Sequence, residues 1–178
     1  NSNQVINLAI ASAIIVLLGI YDDFQGSSAL IKFSVQCIVR LLFVKAGFIL
    51  HNIYLPFNVQ INLGYLSIPL TIFWLLGITN AMNLIDGLDG LASGTAFIAM
   101  VFFSIFSCLV GNKLLCYLSL SLAGANLAFL KYNFYPAKIF MGDTGSLFLG
   151  FFIGALALLP SQKPDANQLF IPLCFVMA

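Results

Sequence analysis

The sequence contains no glutamate, one histidine and one tryptophan, and charged side chains make up only 7% of its 178 residues. Each shortage excludes something. With seven Lys and Arg against six acidic residues, and no basic stripe or run, the chain offers no surface for nucleic acid. His51 alone cannot complete a zinc site. The four cysteines, Cys37, Cys108, Cys116 and Cys174, lie in apolar runs without Cys-x-x-Cys spacing, so they read as small buried hydrophobes. The shortage of polar residues leaves little material for a soluble domain: 61% of the chain is hydrophobic and its mean hydropathy is +1.05. A membrane crossing takes about 20 residues, so this length allows at most about seven or eight spans. An integral membrane protein is implied, and a globular enzyme on a single anchor is excluded.

The apolar runs predict an all-α, polytopic transmembrane helical bundle forming one membrane-embedded domain over residues 1–178. Spans are expected at 5–20, 29–50, 68–82, 95–110, 114–130 and 147–159. A seventh run enters at Leu169 and stops at Ala178, short of a crossing. Between the second and third spans, HNIYLPFNVQINLGYLSIP carries Pro, Asn and Gly among alternating apolar residues and predicts a short extra-membrane hairpin. The chain begins without Met and nearly inside a span, with no basic n-region or cleavage site, and is expected to be an internal fragment lacking spans at both ends.

All acidic residues are Asp, and five of the six, Asp22, Asp23, Asp86, Asp89 and Asp143, fall in three short clusters. Two spans separate the first cluster from the second, and two more separate the second from the third. Even parity places all three on one membrane face, where they can build a single acidic pocket. Lysine counting does not orient that face: Lys32, Lys131 and Lys138 lie toward it, while Lys45, Lys113 and Lys163 lie toward the other.

In GIYDDF, adjacent carboxylates leave the bilayer together, which requires a divalent cation or a shared proton to offset their repulsion, unless the pair is simply a solvated loop. In NAMNLIDGLDGLASG, Asn80, Asn83 and Asp86 recur at spacing three along one helix face, and Gly87 and Gly90 break the helix. A helix restarting after Gly90 presents free N–H groups suited to phosphate oxygens. In KYNFYPAKIFMGDTGS, Pro136 ends one helix, Gly142 and Gly145 flank Asp143, and Thr144 or Ser146 can cap the next. Lys32, Lys131 and Lys138 read either as phosphate partners or as lysines snorkelling to the interface. Arg40 lies mid-span and needs a partner that the sequence does not name. Gly150 and Gly154 form a Gly-x-x-x-Gly pair suited to close helix packing. The whole set describes a magnesium site, with manganese as the alternative, for a diphosphate and a lipid co-substrate.

These three motifs, in this order from about Gly19 to Gly154, resemble those of the polyprenyl-phosphate N-acetylhexosamine-1-phosphate transferases. Such membrane enzymes move a sugar-1-phosphate from a UDP-sugar to undecaprenyl phosphate or a related carrier and release UMP. Gln25 and Gly26 stand where the peptidoglycan branch, which uses UDP-MurNAc-pentapeptide, typically has a basic residue. The chain is therefore more similar to the GlcNAc-1-phosphate branch. The resemblance implies that Asp22 and Asp23 act near the lipid phosphate, one of them as a possible base, with Asp86 at the metal and diphosphate. It implies Mg²⁺ on Asp143 and Asn83, and Gly87, Asp89 and Phe140 on the nucleoside side; Asn80, Lys32 and Lys138 complete the expected substrate contacts. It further implies a multi-pass protein of the bacterial plasma membrane, a cytoplasmic active site and a homodimer, plus a later His-rich loop that this chain does not reach. Two routes remain open, direct attack by the lipid phosphate or an aspartyl-phosphate intermediate. The alternative from a different class is a divalent-cation transporter.

Overall fold

The computed structural model describes residues 2–55 and 59–159, and among these small-residue and proline breaks divide the apolar sequence into six α-helices. They are α1 (Ser2–Gln25), α2 (Ala29–Lys45), α3 (Ser67–Ile85), α4 (Leu91–Leu109), α5 (Lys113–Asn133) and α6 (Gly142–Leu158). Strands β1 (Asn52–Leu55) and β2 (Val59–Asn62) form the expected hairpin between α2 and α3, antiparallel with Asn52 opposite Asn62. Four helical segments, 3–25, 64–85, 91–109 and 113–133, are long and apolar enough to cross a membrane. The other two helices, α2 and α6, have 17 residues each, near the lower limit of about 17 for a crossing. The apolar run from Leu169 lies outside the described residues.

Several helices extend beyond the apolar runs at the carboxylate face, whereas α2 ends at Lys45, short of the expected span over 29–50. Helix α1 does not end at Tyr21 but carries Asp22 and Asp23 in its last turns and stops at Gly26, whose N–H bonds to Asp22 O. Helix α6 begins five residues before Leu147 and takes Asp143 and Thr144 into its first turn. Hydropathy underestimates both helices because their polar ends are stabilised by tertiary contacts rather than by lipid.

Helix α6 is the axis of the bundle. From Ser146 to Leu158 every residue except Phe148 is buried, and α3 and α1 pack along its length. Close approach is possible because Gly150 and Gly154 face α3: a Cβ on Gly150 would stand 2.7 Å from Thr79 Cα, and one on Gly154 would stand 3.2 Å from Leu75 Cδ2. The glycine pair is therefore an intrachain packing seam, in keeping with the close helix packing expected of it.

Arg40 is fully buried, and its partners are uncharged. Its guanidinium donates to Gln36 O at 2.7 Å, Leu75 O at 3.3 Å and Thr79 Oγ1 at 2.6 Å, and lies 5.8 Å from the centroid of the Phe151 ring. Backbone carbonyls and an aromatic face thus take the place of the carboxylate that an intramembrane cation would otherwise require.

At the carboxylate face, α4 is preceded by Gly90, whose φ of +74° suits glycine. The buried side chain of Asn133, at the end of α5, accepts from Gly90 N at 3.2 Å and Ser93 Oγ at 2.7 Å and donates to Ile139 O at 3.0 Å. One amide therefore ties the second and third motif loops together. Asn133→Leu leaves these groups unpaired and should destabilise the protein by about 1–3 kcal/mol. An unchanged thermal midpoint in detergent would contradict this role.

Candidate active site

The parity argument holds in three dimensions: the C-terminal ends of α1, α3 and α5 and the N-terminal ends of α2, α4 and α6 share one face. Lys32, in the first turn of α2, reaches both Asp22 Oδ2 at 2.7 Å and Asp143 Oδ2 at 2.5 Å. Asp143 Oδ1 accepts from Asn83 Nδ2 at 3.0 Å, and the same amide donates to Ser146 Oγ at 2.9 Å. Residues from α1, α2, α3 and α6 therefore meet around one ammonium and one carboxylate.

Each member of the Asp22–Asp23 pair has a separate task. Asp22 accepts from the Ser27 backbone N–H at 2.8 Å and from the Ser27 hydroxyl, in addition to Lys32. Asp23 faces α6, where it accepts from Asp143 N at 2.8 Å, Thr144 N at 3.0 Å and Thr144 Oγ1 at 2.5 Å. It is the cap of α6, supplied from another helix. This corrects the expectation that Thr144 or Ser146 caps α6: Thr144 donates to Asp23, and Ser146 Oγ bonds back to Gly142 O. The first amides of α6 are thus already occupied by a carboxylate. Two glycines allow the approach. Gly142 has φ +66° and would place a Cβ 3.0 Å from the Asp23 oxygens, while a Cβ on Gly19 would stand 2.7 Å from Thr144 N.

Asp86 follows the end of α3 and is half-buried, and among the described residues no hydrogen bond reaches its carboxylate. Burial, reinforced by the charges of Asp143 and Asp23, pushes its pKa up from the ordinary 3.8 to about 6. The folded protein thus retains a proton there that the unfolded chain loses at lower pH. The stabilisation is present below about pH 4 and is lost as the pH rises through 6. In metal-free buffer the thermal midpoint of the wild type should fall over that window, and Asp86→Asn should remove this part of the fall. Equal slopes in the two proteins would show that Asp86 does not carry it.

The other expected residues lie around this centre. Asn80 is bonded to Gln36 Oε1 at 3.0 Å, and Asp89 accepts from Ala137 N at 2.9 Å, fastening the second loop to the third. Gly87, Lys138 and Phe140 are exposed on the same face. Lys131, also exposed there, lies 5.8 Å from the Tyr132 ring centroid. His51, at the entry to the hairpin, is on the opposite face. Sequence reasoning missed Gln36, Ser27 and Asn133. Gln36 could have been found, because Lys32, Gln36 and Arg40 recur at spacing four and so form one polar face of α2.

The oxygen donors suit a hard divalent cation. Among the described residues no group of three or more His, Cys, Asp or Glu forms a ready metal cage. Magnesium, however, commonly takes one or two protein ligands and completes its shell with water and phosphate oxygens. Asp143 and Asn83 on facing helices fit that pattern, and Asp86 lies near enough to feel the charge of Asp143.

The sequence is similar to known proteins over most of its length. The model of glycosyl transferase family 4 matches residues 5–161. The chain belongs to that family. A Bacillus subtilis (strain 168) relative named "Probable undecaprenyl-phosphate N-acetylglucosaminyl 1-phosphate transferase" is 46% identical over 157 residues, covering 88% of this chain and 44% of the relative. The phospho-N-acetylmuramoyl-pentapeptide-transferase of Staphylococcus aureus (strain JH9) is 34% identical over 191 residues, covering 99% of this chain and 59% of that protein. The chain thus spans about half the length of the curated relatives it matches. Family members of both kinds are phosphosugar transferases by name, and the higher identity is to the N-acetylglucosaminyl one.

Proposed function

We propose that this chain carries the catalytic face of a magnesium-dependent transferase that moves GlcNAc-1-phosphate from a UDP-sugar to undecaprenyl phosphate. UMP is released, and the product initiates a cell-envelope glycan. The observation that carries this reading is the junction of Lys32 with Asp22 and Asp143, which unites three motif loops from four helices. Gln25 and Gly26, together with the higher identity to the N-acetylglucosaminyl relative, favour GlcNAc over the pentapeptide substrate. The position of the site at helix ends, rather than at the bilayer midplane, argues against a cation transporter. The carboxylate face is assigned to the cytoplasmic side of the bacterial plasma membrane, where nucleotide sugars are made.

The chemistry follows from how the residues are held. A phosphate monoester already carries about −1.5 to −2 charge near pH 7, so its oxygen needs no general base to attack. Asp22 and Asp23 are each held by donors, and a nucleophilic role for either would first break those bonds. Direct attack by the lipid phosphate on the sugar-linked phosphorus is therefore favoured over an aspartyl-phosphate. Asp22 positions Lys32, Asp23 fixes the start of α6, and Lys32 is placed to exchange a carboxylate for an incoming phosphate oxygen. Asp143 and Asn83 would hold Mg²⁺, with Asp86 beside them. When bound there, the ion would neutralise diphosphate charge and polarise the phosphorus for attack. Gly87, Asp89 and Phe140 are assigned to the nucleoside side, and Asn80 and Lys138 to the edge of the substrate site.

The test uses the whole protein in detergent with undecaprenyl phosphate and UDP-GlcNAc, following UMP with and without Mg²⁺. Release that requires both lipid and metal is expected. Turnover of UDP-MurNAc-pentapeptide instead would reassign the substrate, and no release from any UDP-sugar would sink the transferase reading.

A further inference from the structure

Two of the cysteines, expected to be inert buried hydrophobes, are neighbours. Cys108 lies in the last turn of α4 and Cys116 in the first turn and a half of α5, on either side of the tight turn at 110–112. Their Sγ atoms are neighbours at 2.7 Å, with either thiol able to donate to the other. Cys108 is exposed and Cys116 is buried. The turn that brings them together is itself well fixed. Asn112 caps α5 through Leu115 N, and its own N–H bonds to Ser107 O at 2.9 Å. Among the described residues the only other cysteine is Cys37 on α2.

Because α4 leaves the carboxylate face at Leu91 and crosses once, this thiol pair stands at the opposite end of the bundle. With the carboxylate face in the cytoplasm, as proposed above, the pair faces the exterior, where disulfides form and persist. We propose that Cys108 and Cys116 are a modification site: in the mature protein they are joined as a disulfide that clips the α4–α5 hairpin on its outer side. The proposal rests on that assignment of faces.

The reaction takes a disulfide-bearing oxidant outside the membrane, whether a thiol oxidoreductase or a small-molecule disulfide. The exposed Cys108 thiol loses its proton and attacks the oxidant's S–S bond, forming a mixed disulfide and releasing one thiolate. The Cys116 thiolate then attacks the Cys108 sulfur and expels the second. Two protein thiols thus give up two protons and two electrons, and the oxidant's disulfide becomes two thiols. The order follows exposure: Cys108 is exposed to the oxidant, and the buried Cys116 reacts only with its neighbour's sulfur. The clip closes a short loop far from the acidic pocket, so the carboxylate geometry does not depend on it.

The test is made on the full-length protein in intact cells. Free thiols are trapped with a membrane-impermeant maleimide, and the purified protein is digested and examined by mass spectrometry before and after reduction. The expected result is a peptide joining Cys108 to Cys116 that disappears on reduction, together with two cysteines that become labelled only after reduction. The Cys116→Ser variant separates the two levels of the argument, because its Cys108 should then be labelled from outside. Free thiols at both positions in the wild type, with Cys108 of the variant labelled from outside, would overturn the disulfide and leave the assignment of faces standing. Free thiols with Cys108 unreachable from outside would overturn both.

Discussion

Replacing Gly19 with alanine should reduce UMP release by the whole protein about a hundredfold while leaving the helices formed. The added methyl would sit 2.7 Å from Thr144 N, against backbone that cannot rotate away, so α1 and the start of α6 must separate. Over-packing of this kind typically costs about 1–3 kcal/mol in stability. Its larger effect is geometric. Asp23 would lose its hold on the amides of Asp143 and Thr144, and Asp22 would move relative to Lys32. A displacement of about 1 Å in such a site can lower turnover a hundredfold. Gly124→Ala is the control, because a Cβ there meets nothing within 4 Å, and it should retain wild-type rates. Wild-type activity in Gly19→Ala, or an equal loss in the control, would remove the α1–α6 contact from the account.

Asp143→Asn should have the larger effect on catalysis, about 10²–10³-fold in kcat, the range for removing a main electrostatic contributor. Asp143 is the hub: one oxygen takes Lys32 and the other takes Asn83. The isosteric amide removes the negative charge that both Lys32 and a divalent cation require, and turns one acceptor into a donor. The folded bundle should survive, since α6 remains buried through residues 146–158 and Asp23 still caps its backbone. The variant should also need more Mg²⁺ for half-maximal rate. Unchanged kcat with unchanged Mg²⁺ dependence would exclude Asp143 as the metal-holding residue.

Much of the site was legible because its chemistry is local in sequence. Asn80, Asn83 and Asp86 share a helix face through their spacing, Gly90 stops and restarts a helix, and parity placed Asp22, Asp86 and Asp143 together. Helix ends were less legible. Hydropathy ended α1 before Asp22 and began α6 at Leu147, because an apolar window cannot detect a polar turn stabilised from another helix. The capping of α6 was misassigned for the same reason: Thr144 and Ser146 are near in sequence, while the group that caps the helix is 120 residues away. The cysteines were read by their apolar neighbourhood, which says nothing of a partner eight residues away across a turn.

By itself the sequence determined the apolar character of the spans, the helical bundle, the common face of the three motifs and the oxygen-bearing side chains gathered on it. These follow from hydropathy, span counting and residue type, all of which can be read along one dimension. Only the tertiary structure decided which carboxylate meets which donor: Lys32 between Asp22 and Asp143, Asp23 on α6, Gln36 behind Asn80, and Arg40 held by carbonyls and Thr79. Those pairings depend on how each helix is rotated and how closely it approaches its neighbours. Rotation and approach are set by the small residues where helices touch, Gly19 against α6 and Gly150 against α3, and that contact exists only once the bundle has packed.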